Sequence, residues 1–198
     1  MNHRFDDEDI LRPDLDIPPD VMETAAAIRL VLFDVDGVLT NGQLFFDDNG
    51  TESKAFHSRD GLGINLLQQS GIKAGIITAR TSNLVAHRAR NLKIAHLVQG
   101  AVDKFPAYLQ LRDELGLDDA QVAFVGDDVV DLPVMLQAGL AVTVPEAHPL
   151  VLRHAHWTTR HAGGYGAARD VCEMVLHAQG NYTRAMQQFL MRTDKIEL

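Results

Sequence analysis

Two carboxylates, Asp34 and Asp36, stand one residue apart at the end of the apolar run LVLF and are followed at once by Gly37. Like charges repel, so another part of the chain has to offset them. Three further segments end apolar runs in groups of a suitable kind: Thr78-Ala79-Arg80 after IKAGII, Lys104 after AHLVQG, and Gly126-Asp127-Asp128 with Asp131 after VAFV. Carboxylates drawn together offer oxygen ligands to a hard cation, Mg²⁺ above all, and a divalent ion lets adjacent carboxylates remain ionised. Adding one ammonium and one hydroxyl suits a phosphoryl group, whose charge spreads over its oxygens as it is transferred. In this reading Asp34 is the nucleophile that forms an aspartyl-phosphate. Asp36 protonates the leaving alcohol and later activates water. Thr78 and Lys104 grip the phosphoryl oxygens. Asp34, Asp36 and Asp127 hold the metal, with Asp128 and Asp131 orienting its waters or Lys104.

Each feature alone has an ordinary explanation: a solvated strand end, a surface lysine, or acids complementing a helix dipole. Their weight comes from recurring at successive strand ends. The runs IRLVLFD, IKAGIIT, AHLVQG, VAFVGDD, LAVTV and HWTT alternate with helical periodicity over 62–70, 81–92, 103–115 and 132–138. Unbroken apolar strands between helices predict an α/β fold with a doubly wound parallel sheet, whose ligand sits at the carboxyl ends of the strands. Residues 41–57, GQLFFDDNGTESKAF with its flanks, predict a small β-hairpin turning at Asn49-Gly50, inserted after the first strand and too short for a cap domain.

The 198 residues are 46% hydrophobic and 23% charged, enough for one core. The division expected is an acidic, partly ordered leader over 1–27, one domain over 28–180 and a weakly patterned tail over 181–198. The leader holds eight acids against Arg4 and Arg12 and carries most of the net charge of −9. The remainder offers no basic face, so nucleic acid is not an expected partner. There is no apolar run of membrane-spanning length, and the N-terminus lacks an export pattern, so no membrane partner and a cytoplasmic location are expected. The single cysteine, Cys172, falls on the apolar face of a helical segment and reads as core. His154 and His156 share a strand face but have no matching third ligand, so no zinc site is read there.

DVDGVLT, the IITAR strand end, Lys104 and VGDDVVD together resemble, in order and across most of 28–180, the four motifs of haloacid-dehalogenase-like phosphatases. NGQLFFDDNGTESKAFHSRDGLGI, RARNLKIAHLVQG, AHPLV and GGYGAARDVCEMVLHAQG extend the resemblance to the group acting on 3-deoxy-D-manno-octulosonate 8-phosphate. The resemblance implies a capless, Mg²⁺-dependent phosphoric monoester hydrolase in lipopolysaccharide precursor synthesis. It also implies a homotetramer assembled by the hairpins, each active site being closed by the C-terminal loop of a neighbour. Its substrate carries a carboxylate as well as a phosphate, which a guanidinium fork matches. By similarity the substrate contacts are Asp36, His57, Ser58, Arg59, Asp60, Gly61, Asn65, Arg80, Arg88 and Lys104. Asn65 departs from the basic residue frequent in the group, and Tyr165 departs from a basic residue in the glycine loop.

Three other readings share parts of this chemistry. A phosphatase for a nine-carbon sugar-acid 9-phosphate changes only the substrate. A signalling receiver domain also uses Asp, Thr, Lys and a metal, but its acidic pair comes first and its phosphoacceptor later, the reverse of the order here. A non-catalytic oligomerisation module is disfavoured by the intact set of acids.

Overall fold

The computed structural model describes residue 13 and residues 15–190, so most of the acidic leader and the end of the tail lie outside the described residues. Helix α1 (Pro19–Ala26) leads into β1 (Leu30–Phe33), and β2 (Phe45–Phe46) with β3 (Glu52–Ser53) forms the hairpin. Then follow α2 (Ser58–Gln69), β4 (Lys73–Ile77), α3 (Asn83–Asn91), β5 (His96–Val98), α4 (Lys104–Glu114) and β6 (Val122–Val125). The remaining described elements are α5 (Leu132–Met135), β7 (Leu140–Thr143), α6 (Pro149–His154), β8 (Trp157–Thr158), α7 (Ala167–Ala178) and α8 (Tyr182–Leu190).

Six strands form one sheet in the order β5-β4-β1-β6-β7-β8, and every pairing is parallel. The order reverses direction at β1, with β4 on one side and β6 on the other, and such a switch point opens a crevice at the carboxyl ends of the strands. The alternation of a strand sends its side chains to opposite faces. Val31 and Phe33 of β1 join Ala123 and Val125 of β6 in the core beneath α1, α2 and α7. Leu30 and Leu32 join Val122 and Phe124 in the core beneath α4 and α5. Both faces are covered, which explains why these strands read as continuous apolar runs. Cys172 is buried in the first core, and burial pushes its thiol well above the ordinary value.

Packing crosses both boundaries drawn from sequence. Val21 and Ala25 of α1 are buried in the core, and Gln179 donates to the carbonyls of Ala25 and Ile28. Beyond residue 180, α8 buries Ala185 and sets Tyr182 edge-on to His177. His154 and His156 each hydrogen-bond to backbone, His154 with the carbonyl of Leu150 and His156 with the amide of Ala141.

The hairpin is antiparallel, pairing Phe45 with Ser53 and Phe46 with Glu52. Its loop spans more than the expected Asn49-Gly50 pair, because Asp47 Oδ1 accepts from the amides of both Asn49 and Thr51 and its own amide donates to Thr51 O. Gly50 supplies the positive φ of 77° within that loop.

Candidate active site

The parallel register explains how distant residues converge. Phe33 lies opposite Ile76 of β4 and Val125 of β6, so one step further along each strand Asp34 stands between Ile77 and Gly126. The Asp34 amide donates to Val125 O, continuing the ladder past the formal end of β1. Thr78 and Asp127 follow one residue later on either side. The loop bearing Asp127 is anchored by the Thr143 hydroxyl donating to Gly126 O and by the His148 amide donating to Asp127 O.

After Asp34 the backbone turns sharply, with Gly37 at φ 99°. A Cβ at Gly37 would lie 2.0 Å from Asp127 Oδ2. The glycine behind the carboxylate pair is therefore required twice, for its dihedral and for the room it leaves Asp127.

Lys104 opens α4, whose N-cap is Asp103. Only 1% of its side chain is exposed, and its Nζ lies 2.9 Å from Asp34 Oδ1 and 2.6 Å from Asp131 Oδ1. Burial pulls the lysine's pKa down, but Asp34 and Asp131 outweigh it and raise it above the ordinary value. The other oxygen of Asp131 accepts from the amides of Asp127 and Asp128. Asp131 is thus fully committed to placing Lys104 and the Asp127 loop, while Asp128 is an exposed cap accepting from the Val129 amide.

The electrostatics of the acidic group show what charge it favours. Burial, reinforced by Asp131 and opposed by Lys104, lifts Asp34 from 3.8 to about 6. Burial, then Asp34 and Asp131, lifts Asp127 to about 7. Asp127 Oδ1 is buried with no hydrogen-bond partner. Among the described residues, Asp34, Asp127 and Asp131 bring carboxylate oxygens within 4.8 Å of one another. Three carboxylates facing one ammonium leave an excess of negative charge, and an all-oxygen donor set with an orphaned acceptor fits a divalent hard cation. Asp131 already spends both oxygens on hydrogen bonds, so Asp34 and Asp127 offer the freer oxygens to an ion, with Asp131 beside them.

Asp36 stands apart from this group. Its Oδ1 is paired with Lys54 Nζ, and its Oδ2 lies 3.9 Å from Arg80 Nε. The side chain of Asp36, a residue assigned to the metal from sequence, is here directed to two cations. Glu52 Oε1 lies 3.4 Å from Lys54 Nζ and 2.7 Å from Arg80 Nη2, completing a ring of four charges. The sequence reading missed Glu52 and Lys54. Their spacing of two along TESKAF, which places both on one face of a strand, was the available signal.

The residues assigned to substrate by similarity divide in the same way. Lys104 and Thr78 are buried, and Arg80 is 40% exposed at the mouth. His57 is the N-cap of α2, its Nδ1 accepting from the Arg59 amide, and Ser58 is exposed beside it. Arg88 donates to His57 O at 3.0 Å and lies over the Phe56 ring, close against Gly61, with burial lowering its pKa. Asp60 is 2% exposed and accepts from the Arg169 amide in the first turn of α7. Burial raises its pKa. Asn65 is half-buried on α2. Arg88 and Asp60 thus brace the loop, which sequence similarity alone does not reveal.

The glycine loop closes on the turn after β1. Gly164 N donates to Val38 O, and a Cβ at Gly163 would lie 1.7 Å from Gly37 O. Arg59 donates to Tyr165 O at 3.3 Å, and Asn41 to the Tyr165 hydroxyl at 3.4 Å. A cavity of about 310 Å³ opens here, with Gly37, Asn41, Asp127, Gly163 and Tyr165 in its wall.

Comparison with known proteins agrees with this geometry. Residues 91–169 match the family model of the haloacid dehalogenase-like hydrolases. The 3-deoxy-D-manno-octulosonate 8-phosphate phosphatase of Yersinia pestis is 48% identical over 82% of this chain and 87% of its own. That of Escherichia coli BL21 is 46% identical over 87% of this chain and 92% of its own. The crystal structure of the Yersinia pestis enzyme covers 83% of this chain and 89% of its own with a TM-score of 0.82. The Moraxella catarrhalis enzyme, solved with a magnesium ion, a phosphate ion and a KDO molecule, is 40% identical, with 86% of this chain and 98% of its own covered at a TM-score of 0.85. With its switch-point carboxylates, its capless parallel sheet and this level of identity, the chain belongs to the 3-deoxy-D-manno-octulosonate 8-phosphate phosphatase family of haloacid dehalogenase-like hydrolases.

Proposed function

We propose that the protein is a Mg²⁺-dependent phosphoric monoester hydrolase that converts 3-deoxy-D-manno-octulosonate 8-phosphate to the free sugar acid and phosphate, a step of lipopolysaccharide precursor synthesis. The observation carrying this reading is the buried group Asp34, Asp127, Asp131 and Lys104, in which Asp127 keeps an unpartnered oxygen. Asp34 and Asp127 would hold the ion, which when bound would neutralise the carboxylates and polarise the phosphoryl oxygens.

Lys104 fixes Oδ1 of Asp34 and leaves Oδ2 to attack phosphorus. As the Asp34–phosphorus bond forms, the ester oxygen departs and takes a proton from Asp36. A water that returns its proton to Asp36 then attacks the aspartyl-phosphate and regenerates Asp34. Lys104 and Thr78 bind the phosphoryl oxygens throughout. Arg80, at the mouth, meets the substrate carboxylate, with His57, Ser58, Arg59 and Asn65 forming the rest of the wall and Asp60, Gly61 and Arg88 holding that wall in place.

We extend the reading to a catalytic body over 28–180 flanked by the leader and tail, to a cytoplasmic location, and to a homotetramer. Leu44, Phe45 and Phe46 stand exposed on the hairpin, the kind of surface a subunit contact covers. Tyr165, 53% exposed, is available to a neighbouring site. Among the described residues no helix is long and apolar enough to cross a membrane. Phosphate release from a panel of sugar-acid phosphates with Mg²⁺ tests the substrate. The eight-carbon 8-phosphate should give the highest kcat/KM, and preference for a nine-carbon 9-phosphate would overturn the assignment.

A further inference from the structure

Lys54 is as hidden from water as Lys104, with 1% of its side chain exposed, yet it lies on the hairpin and not at a strand end of the main sheet. A buried ammonium persists only where anions compensate it. Lys54 has two, Asp36 Oδ1 and Glu52 Oε1, and Glu52 also binds Arg80, whose Nε faces the other oxygen of Asp36. Two acidic and two basic side chains alternate round a closed ring. Three of the four come from outside the turn that carries Asp36.

We propose that Lys54 is the positioning residue for the proton-transfer steps. Untethered, a carboxylate turns broadly about its last torsion. Lys54 occupies Oδ1 of Asp36 and leaves Oδ2, on the Arg80 side, to pass a proton to the leaving alcohol and to take one from water. Glu52 holds Lys54 and Arg80 together. The hairpin pairs only two residues on each strand, too few to be stable alone, so this ring is also its attachment to the catalytic loop. The inference rests on the acid–base role given to Asp36 above.

The test exploits the leaving group. A sugar alkoxide must be protonated as it departs, whereas nitrophenolate leaves without help. With the full chain and saturating Mg²⁺, kcat and KM are measured for Lys54→Met and Lys54→Arg on the sugar-acid 8-phosphate and on p-nitrophenyl phosphate. Misplacing a catalytic group by about 1 Å costs about 100-fold, so Lys54→Met should lose about that much kcat on the sugar phosphate, with KM within about threefold. The pre-steady-state release of nitrophenolate, which precedes the water step, should slow by no more than about fivefold, and Lys54→Arg should regain about tenfold in kcat on the sugar phosphate. A loss in nitrophenolate release equal to the loss on the sugar phosphate would overturn the proposal, as would a rise in KM with kcat unchanged, which would make Lys54 a substrate contact. Should Lys54→Met not fold, Glu52→Gln, which loosens Lys54 without emptying its place, must show the same split at about tenfold; no split refutes the idea. If the wild type cleaves the aryl ester but no sugar-acid phosphate, the substrate reading fails alone, and the split is measured on another alkyl phosphate.

Discussion

Two charge clusters share one active site but rest on different supports. Asp34, Asp127, Asp131 and Lys104 stand on neighbouring parallel strands and a helix start, with Lys104 and Asp131 almost wholly buried. Asp36, Glu52, Lys54 and Arg80 meet across a turn, a two-residue strand pair and a loop, and Arg80 is 40% exposed. Sheet register fixes the first cluster before any substrate arrives, which suits a group that must place a nucleophile against phosphorus. The second depends on how the hairpin docks, which suits groups that meet the variable part of the substrate. One cluster should therefore govern whether phosphorus is attacked at all, and the other which ester is cleaved well.

The largest separation is expected from Asp34→Asn. Removing the nucleophile should cost at least about 10⁴-fold in kcat on sugar and aryl esters alike, measured by phosphate release. Lys104→Ala should cost about 10³-fold in kcat/KM, again on both esters, since it leaves Asp34 and Asp131 facing each other without their cation. Asp36→Asn, in the outer cluster, should distinguish them: a large loss on the sugar phosphate, with aspartyl-phosphate formation from the aryl ester much less impaired.

A smaller effect tests the inner cluster through stability. In the metal-free protein Asp34 and Asp127, raised to about 6 and about 7, hold protons more tightly folded than unfolded. Stability from these groups is therefore greatest at low pH and declines as pH rises from about 4 to about 7. Calorimetry in EDTA should show the melting temperature falling by about 5 °C across pH 5 to 8. Saturating Mg²⁺ binds the ionised carboxylates and should raise it most at the alkaline end, restoring activity as well. The smallest effect belongs to the rim. Arg59→Ala removes one long hydrogen bond to Tyr165 O and should raise KM about threefold with kcat unchanged.

Sequence reveals the two clusters unequally for the same physical reason. Strand ends are legible because unbroken apolar runs stop where the sheet stops, so Asp34, Thr78, Lys104 and Asp127 could be placed together without coordinates. The hairpin was legible too, as a turn between apolar pairs, but which face of TESKAF would meet Asp36 was not. A lysine two residues from a glutamate reads as a solvated pair until tertiary packing brings a third charge to it. Asp60 and Arg88 show a second limit of the sequence. A carboxylate and a guanidinium in a substrate loop have the right chemistry for substrate, yet Asp60 accepts the Arg169 amide at the start of α7 and Arg88 holds His57 O. Contacts so remote in the chain leave no local pattern.

The proposed mechanism requires a covalent bond between Asp34 and phosphorus. Acid-quenching the enzyme during turnover of p-nitrophenyl phosphate, reducing with borohydride and sequencing peptides by mass spectrometry reads it directly. Homoserine is expected in place of aspartate at position 34 and nowhere else. Homoserine at Asp36 or Asp127, or none at all while turnover proceeds under conditions that trap acyl phosphates, would contradict it.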